Sequence, residues 1–413
     1  MNILMTHWAW YPTGGDWTYV DGICKMYESK GHQIIPFSVK NKKNIKTPFD
    51  KYFLNEVDYK SFYNKISLKS GISTAFNSIY SFEAKRKLNL LLSENKVDIA
   101  QFNSITNYHT PSIIPVLKNH KIPIVWRILD YRLICPNSTF LSNDKVCEAC
   151  FKNRYYNCVT KRCKKNSLLA STLLALESYT YSFLPFYEKV DMFLFQSEFT
   201  RDIFVKFGFD IKKTHIIENS YDYSNIKPIY NGENYILYFG RISKEKGIKT
   251  LIDSMRNLPE IQIKIVGDGP QLEEYKKYSS EKMLSNVTFL GPKWGSELKP
   301  IIEKSEFVIL PSEWYDPSPY VVLQSFSYGK PVIASNIGGL KDLIINNENG
   351  LLFEPGNSNE LSESIKKLII DKKLIKKMGE NARRILEYKN NPKRYYSNTM
   401  EVFNNLINQN NKI

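Results

Sequence analysis

The sequence predicts an α/β protein built from two Rossmann-like, doubly wound domains that face a central cleft. Three observations predict it. Short apolar runs alternate with helix-period segments along most of the chain. A length of 413 residues exceeds what one ordinary core fills. The alternation loosens once, near Asn219, and then starts again. With 42% hydrophobic and 14% aromatic residues, both halves have enough side chain to bury.

The elements follow in order. NILM reads as a strand, YPTGGDW as a glycine turn, and TYVDGICKMYESKG as a helix closed by Gly31. HQIIPFSV is the next strand, followed by KVDIAQFN, a helix-like PSIIPVLKNH, KIPIVWRIL and VDMFLFQS. These define a first domain over residues 1–222, with a cysteine-rich insertion at 135–163. NSYDYSNIKPIYNGEN, rich in Asn, Tyr and Gly, reads as the linker. A second series over residues 230–388 runs through YILYFGR, TLIDSMRNL, IQIKIVGDG, QLEEYKKYSSEK, NVTFLG, SELKPIIEKS and FVILPS. PKRYYSNTMEVFNNLI, within 389–413, is one more helix, expected to return to the first domain.

Composition narrows the partners. The formal charge of +15 asks for an anion, whether nucleic acid, a lipid surface or a small molecule, or else only keeps a lysine-rich chain soluble. No basic motif interleaved with stacking aromatics is present, so nucleic acid is not expected as a partner. MNILMTHWAW lacks the features of a signal peptide, and no run of eighteen apolar residues occurs. The expected location is the cytoplasm, with contact at the inner face of a membrane allowed.

The densest polar signal is SEWYDPSPYVVLQSFSYGKPVIAS at 312–335. FVILPS enters it as a buried strand, and Gly329 and Pro331 end a short helix before VIAS resumes as strand. Ser318 suits an N-cap and Pro319 the first helical position. The open N–H groups of Tyr320 and Val321 would then attract phosphate. Gln324 lies one turn beyond Tyr320 on the same face, able to meet a diol, and Asp316 precedes the turn. GRISKEKG at 240–247 places Arg241 and Lys246 in one loop after Gly240. VGDGP, with Gly267 and Gly269, and FLG, with Leu290, are two further strand-end turns. Singly, each of these is an ordinary capped helix or turn.

Together they resemble the family 4 glycosyltransferases of the retaining, two-Rossmann-domain GT-B type. The series GGD (14–16), SEF (197–199), NS (219–220), GRISKEKG, GDGP, FLG, PSEWYDPSPYVVLQSFSYGKPVIASNIGGLKDLI and NGLLFEPGN carries the resemblance over nearly the whole chain. The resemblance implies a nucleotide-diphosphate sugar donor, whose diphosphate Arg241 and Lys246 neutralise. The amides at 320–321 and the Gly14–Gly15 turn complete that cradle, and Gly267, Gly269 and Leu290 border the base. Asp316 lies by the donor sugar and Gln324 by the ribose, where the family carries Glu at both positions. Transfer then needs no metal. The first domain becomes the acceptor side, with a glycan or polyprenyl-linked acceptor and a setting in bacterial surface polysaccharide synthesis. WRILDYRLICPN resembles the family's strand-end segment with Leu129 in place of its His, leaving Asp130 as the acceptor-side candidate. His109 either faces the same cleft or hydrogen-bonds within its loop. The two replacements keep a non-catalytic sugar-nucleotide-binding partner subunit as the alternative.

The cysteines admit three readings: a structural zinc on Cys135, Cys147, Cys150 and Cys163 with Cys158 spare, unliganded structural thiols, or a redox or disulfide role. The four named match cysteine-bearing loops in part of the family. KRCKK and the aromatic-rich ESYTYSFLPFYEK after them either meet an anionic membrane or pack on the domain's own core.

Overall fold

The computed structural model describes residues 1–56, 77–105 and 107–411. Two six-stranded sheets, every pairing parallel, form the two domains. The first sheet is ordered β2-β1-β3-β4-β7-β8, from β1 (Asn2–Thr6), β2 (Gln33–Phe37), β3 (Ile99–Phe102), β4 (Ile124–Arg127), β7 (Met192–Phe195) and β8 (Thr214–Ile216). A small hairpin, β5 (Leu141–Ser142) with β6 (Lys145–Val146), stands apart in the cysteine-rich insertion. The second sheet is ordered β11-β10-β9-β12-β13-β14, from β9 (Tyr235–Phe239), β10 (Gln262–Val266), β11 (Val287–Gly291), β12 (Val308–Leu310), β13 (Val332–Ser335) and β14 (Gly350–Phe353).

The central strands are apolar throughout because helices cover both faces of a parallel sheet. Ile236, Leu237, Val308, Ile309, Val332 and Ile333 have no exposed surface. Order reverses between β1 and β3 in the first sheet and between β9 and β12 in the second. Open parallel sheets bind ligands at such reversals, beyond the carboxyl ends of the strands. The loops that follow β9 and β12 hold Arg241 with Lys246, and Asp316 with the helix Tyr320–Ser327.

The final helix, Pro392–Asn410, is capped by the Asn391 side chain, which accepts from the Arg394 amide at 2.8 Å. It buries Tyr395, Phe403 and Leu406 against Ile23 and Tyr27 of the first helix (Gly15–Ser29), so the chain ends on the domain where it began. Arg127, at the end of β4, is fully buried where the domains join. Its guanidinium donates to the Ile217 carbonyl (2.6 Å) and to Asn219 Oδ1 (2.7 Å), and lies over the Tyr19 ring. Asn390 Nδ2 donates to the Asn219 carbonyl at 2.7 Å. Tyr19 and Tyr395 share a hydroxyl–hydroxyl bond of 2.6 Å. The Ile217 carbonyl and Asn219 Oδ1 are the acceptors on which this buried cation depends.

Candidate functional site

Close backbone approach builds the donor-side floor. Gly240 donates to the Val266 carbonyl (3.0 Å), Ile242 to Asp268 (2.8 Å) and Gly267 to Gly291 (2.9 Å), lacing three strand ends together. A Cβ on Gly267 would stand 1.8 Å from the Gly240 carbonyl oxygen, and one on Gly269 2.1 Å from that of Ile242. Both glycines are therefore required by packing, whatever they border. Leu290 is half-buried at the same edge.

On that floor Lys246 Nζ meets Asp316 Oδ2 at 2.5 Å, with Asp316 almost wholly buried. The ammonium also lies 5.1 Å from the centroid of Trp314, a residue the sequence did not single out. Arg241 is more open, and its guanidinium pairs with Glu245 at 3.1 Å. Glu245 in turn accepts from Ser243 Oγ at 2.6 Å. Each cation thus waits on an internal carboxylate that an incoming anion would rival.

The helix Tyr320–Ser327 corrects one local expectation. Pro319, extended at φ −72° and ψ 126°, occupies the cap position, and no side chain caps the helix. Ser318 does not serve as N-cap, because the helix begins one residue later: the Pro319 carbonyl takes its first bond, from the Val322 amide at 3.1 Å. The start of the helix is left to the amides of Tyr320 and Val321, and Val321 and Gln324 are half-buried beside it.

Three consecutive carbonyls of the preceding turn are held from three directions. The Gly339 amide donates to Asp316 O at 2.8 Å. Ser197 Oγ, in the first domain, donates to Pro317 O at 3.0 Å. Asn219 Nδ2, in the linker and itself fixed by Arg127, donates to Ser318 O at 3.3 Å. Placement of Asp316 and orientation of the two domains are therefore set by one short turn. Tyr315 adds to it, its hydroxyl donating to Glu148 of the cysteine-rich insertion at 2.8 Å.

Across the cleft, β1 ends in fully buried His7, whose Nε2 lies 3.2 Å from Asp16 Oδ2. Asp16 also accepts from Trp8 Nε1 and the Trp17 amide. Burial acts to raise its pKa, but the His7 contact and these donors together bring it down to about 2. Asp16 sits in the first turn of the helix that opens at Gly15, so an anion at Gly14–Gly15 meets a fixed negative charge. The His7–Asp16 pair escaped the sequence reading, although a His directly after a strand and an acid in the next helical turn were its signal.

Asp130 is exposed just after β4. The protein around it partly desolvates the carboxyl and raises its pKa; Arg132 opposes the rise and the charge of Asp16 adds to it. Its Oδ1 accepts from the Arg132 amide at 2.9 Å. His109 does not face the cleft. It is fully buried, with Nε2 2.9 Å from the Phe37 carbonyl of β2. Burial brings its pKa down to about 4 from the ordinary 6.5. A histidine held neutral in this way stabilises fully above the unfolded value and less as pH falls from there toward the folded one. The loss reaches up to about 3 kcal/mol. In urea titrations between about pH 7 and about pH 5, His109→Gln should lose less stability than the parent. Parallel losses would refute the assignment.

Cys135, Cys147, Cys150, Cys158 and Cys163 line one small cavity of about 10 Å³ and are all free thiols. Cys158 and Cys163 hydrogen-bond to each other, which holds Cys163 below the usual thiol range and raises Cys158. Among the described residues no three His, Cys, Asp or Glu side chains are arranged to share a metal ion. The five thiols nonetheless converge on that one cavity.

Comparison with solved structures covers nearly the whole chain. HepE of Anabaena, solved in complex with UDP, superposes with a TM-score of 0.69 at 18% identity, over 98% of this chain and all of that one. A sucrose-phosphate synthase from Thermosynechococcus elongatus gives 0.70 at 15% identity, over 99% of each. The chain has the GT-B fold. Residues 220–385 of this GT-B protein match the family model described as glycosyl transferases group 1. An uncharacterised glycosyltransferase of Methanocaldococcus jannaschii is 33% identical over 165 residues, 40% of this chain and 46% of that protein. The α-D-kanosaminyltransferase of Streptomyces kanamyceticus is 30% identical over 152 residues, 36% of this chain and 39% of that protein. The matched region spans less than half the length of these relatives. The family-model match, residues 220–385, lies almost wholly in the GT-B protein's second domain, where Arg241, Lys246 and Asp316 stand.

Proposed function

We propose that the protein is a retaining glycosyltransferase that moves a sugar from a nucleotide-diphosphate donor to a glycan or polyprenyl-linked acceptor in bacterial surface polysaccharide synthesis. One observation supports the reading: Lys246 pairs with Asp316, and the loops that carry Arg241 and the uncapped helix start follow β9 and β12, the two strands at the order reversal of the second sheet. The leaving diphosphate gains negative charge as the glycosidic bond breaks. Two cations and two amides held in place by the fold stabilise that charge. Asp316, tied to Lys246, lies by the donor sugar, and Gln324 offers its amide to the ribose hydroxyls. Gln324 keeps the hydrogen bonds of the diol but forgoes the added strength of a carboxylate acceptor. Asp130 faces the acceptor from the other wall.

HepE was solved with UDP, so uridine diphosphate is the first ligand to test. At a hundred times its Kd a bound nucleotide adds roughly 2.7 kcal/mol of stability. A thermal-shift screen of nucleoside diphosphates and their sugars should give one base that raises Tm well above the rest. No shift with any of them would end the reading. The neutral Gln324 favours a second reading, a sugar-nucleotide binder without turnover. Binding with neither transfer nor donor hydrolysis would select it.

A further inference from the structure

We propose that the helix Leu168–Phe183 and its basic flank form a docking surface for an anionic lipid bilayer. The helix has two unlike faces. Ala170, Ser171, Leu174, Ala175 and Tyr181 are buried against the domain, as is Phe186 just beyond. The outer face presents Leu168, Leu169, Leu176, Phe183 and, after the helix, Leu184, with Phe183 82% exposed. The packed side meets the core alternative for this segment, and the outer side is the one that the docking proposal concerns.

The outer face carries no charge. A water-facing helix ordinarily places charges there, and an apolar stripe left in solvent marks a surface meant for something else. The one acid of the helix, Glu177, points inward, 3.6 Å from Arg132. Residues 149–176 contain six Lys and Arg and no Asp or Glu. Lys152, Arg154, Lys161, Arg162 and Lys165 of that stretch are exposed, and Tyr156 adds an exposed ring beside the same helix. Tyr181 donates to the Ile79 carbonyl at 2.8 Å, which brings up a second segment with exposed Phe82, Lys85 and Arg86. The cations flank the N-terminal end of the apolar stripe, whereas beyond its C-terminal end exposed Glu188 is offset by exposed Lys189. Apolar side chains beside such a basic flank match the acyl boundary and headgroups of an anionic bilayer, and a protein partner for an uncharged stripe would not require the basic flank.

The helix lies on the membrane and does not cross it. No helix among the described residues is long and apolar enough to span. Its sixteen residues extend about 24 Å, short of the ~30 Å hydrocarbon core. Docking here would set the acceptor wall close to lipid, since Arg132, paired with inward Glu177, also holds Asp130 through its backbone amide. This inference stands apart from the donor assignment, and its test needs no turnover.

The full chain is sedimented with vesicles of phosphatidylglycerol and phosphatidylcholine in equal parts, and with vesicles of phosphatidylcholine alone. Binding is expected to the first only, and to weaken as salt is added. Lys161→Ala with Arg162→Ala should lower partitioning about 25-fold, at about fivefold per cation. Leu176→Glu with Phe183→Glu, both at exposed positions, should abolish binding while leaving the melting temperature and the nucleotide response unchanged. Equal binding to both vesicles, binding to neither, or unaltered binding by the variants overturns the proposal. So does a self-association that the Leu176→Glu, Phe183→Glu protein loses, because the face would then belong to a second copy of the chain.

Discussion

Lys246→Ala is expected to lower kcat/KM for sugar transfer by about tenfold or more, or at least about 1.4 kcal/mol of transition-state stabilisation. The ammonium is a fixed charge on a partly buried loop, held between Asp316 and the Trp314 ring. Its removal has a second effect, because Asp316 then stays buried without a partner. Breaking such a pair costs about 3 kcal/mol. Lower activity alone would therefore not separate chemistry from local unfolding. The melting temperature of Lys246→Ala reads the second effect directly, and a loss of kcat/KM measured well below that temperature belongs to chemistry. Arg241→Ala offers a cleaner comparison, since its pairing with Glu245 is more exposed and adds little to stability. It should slow transfer to a similar degree with Tm nearly unchanged. If either purified variant keeps near-normal kcat/KM, the diphosphate is not held by this loop.

Gly339→Ala should cost about a hundredfold in kcat/KM, the scale on which a displacement of about 1 Å acts at a reacting centre. The glycine has an ordinary helical φ of −72°, so backbone strain is not the reason. A Cβ there would stand 1.9 Å from the Pro317 carbonyl oxygen, a contact no side chain makes. The turn from Asp316 to Ser318 must move, and with it the hydrogen bonds to Gly339, Ser197 and Asn219. Asp316 and the open start of the Tyr320–Ser327 helix go together. Gly22→Ala, within the first helix and outside the cradle, is the matched control, because its Cβ would meet nothing within 4 Å. Equal activity of the two variants would show that the turn does not set the reaction geometry.

Legibility in the sequence followed burial. Strands covered on both faces, such as β1, β9 and β12, announce themselves as unbroken apolar runs, and all were read. β8 is a three-residue edge, THI, with no residue fully buried, and the β5–β6 hairpin has two residues a side. Neither offers a pattern long enough to see. β14, GLLF, lay inside a quoted motif and was not assigned as a strand. Arg127 looked like the polar end of a strand; only its partners, 90 and 92 residues away, make it the centre of the join between domains. His109 could not be placed from YHTP, because the Phe37 carbonyl that binds it lies 72 residues earlier.

What the amino-acid order determined by itself was local: which segments alternate as strand and helix, and that Arg241, Lys246, Asp316 and an open helix start fall at strand ends. Those features depend on neighbours a few residues apart, where periodicity and turn chemistry act. Tertiary structure alone decided that one turn fixes both Asp316 and the domain orientation, that five thiols face one cavity, and that one helix keeps an uncharged face toward solvent. These depend on groups brought together from distant parts of the chain, and a carbonyl oxygen or an empty surface has no letter in the sequence.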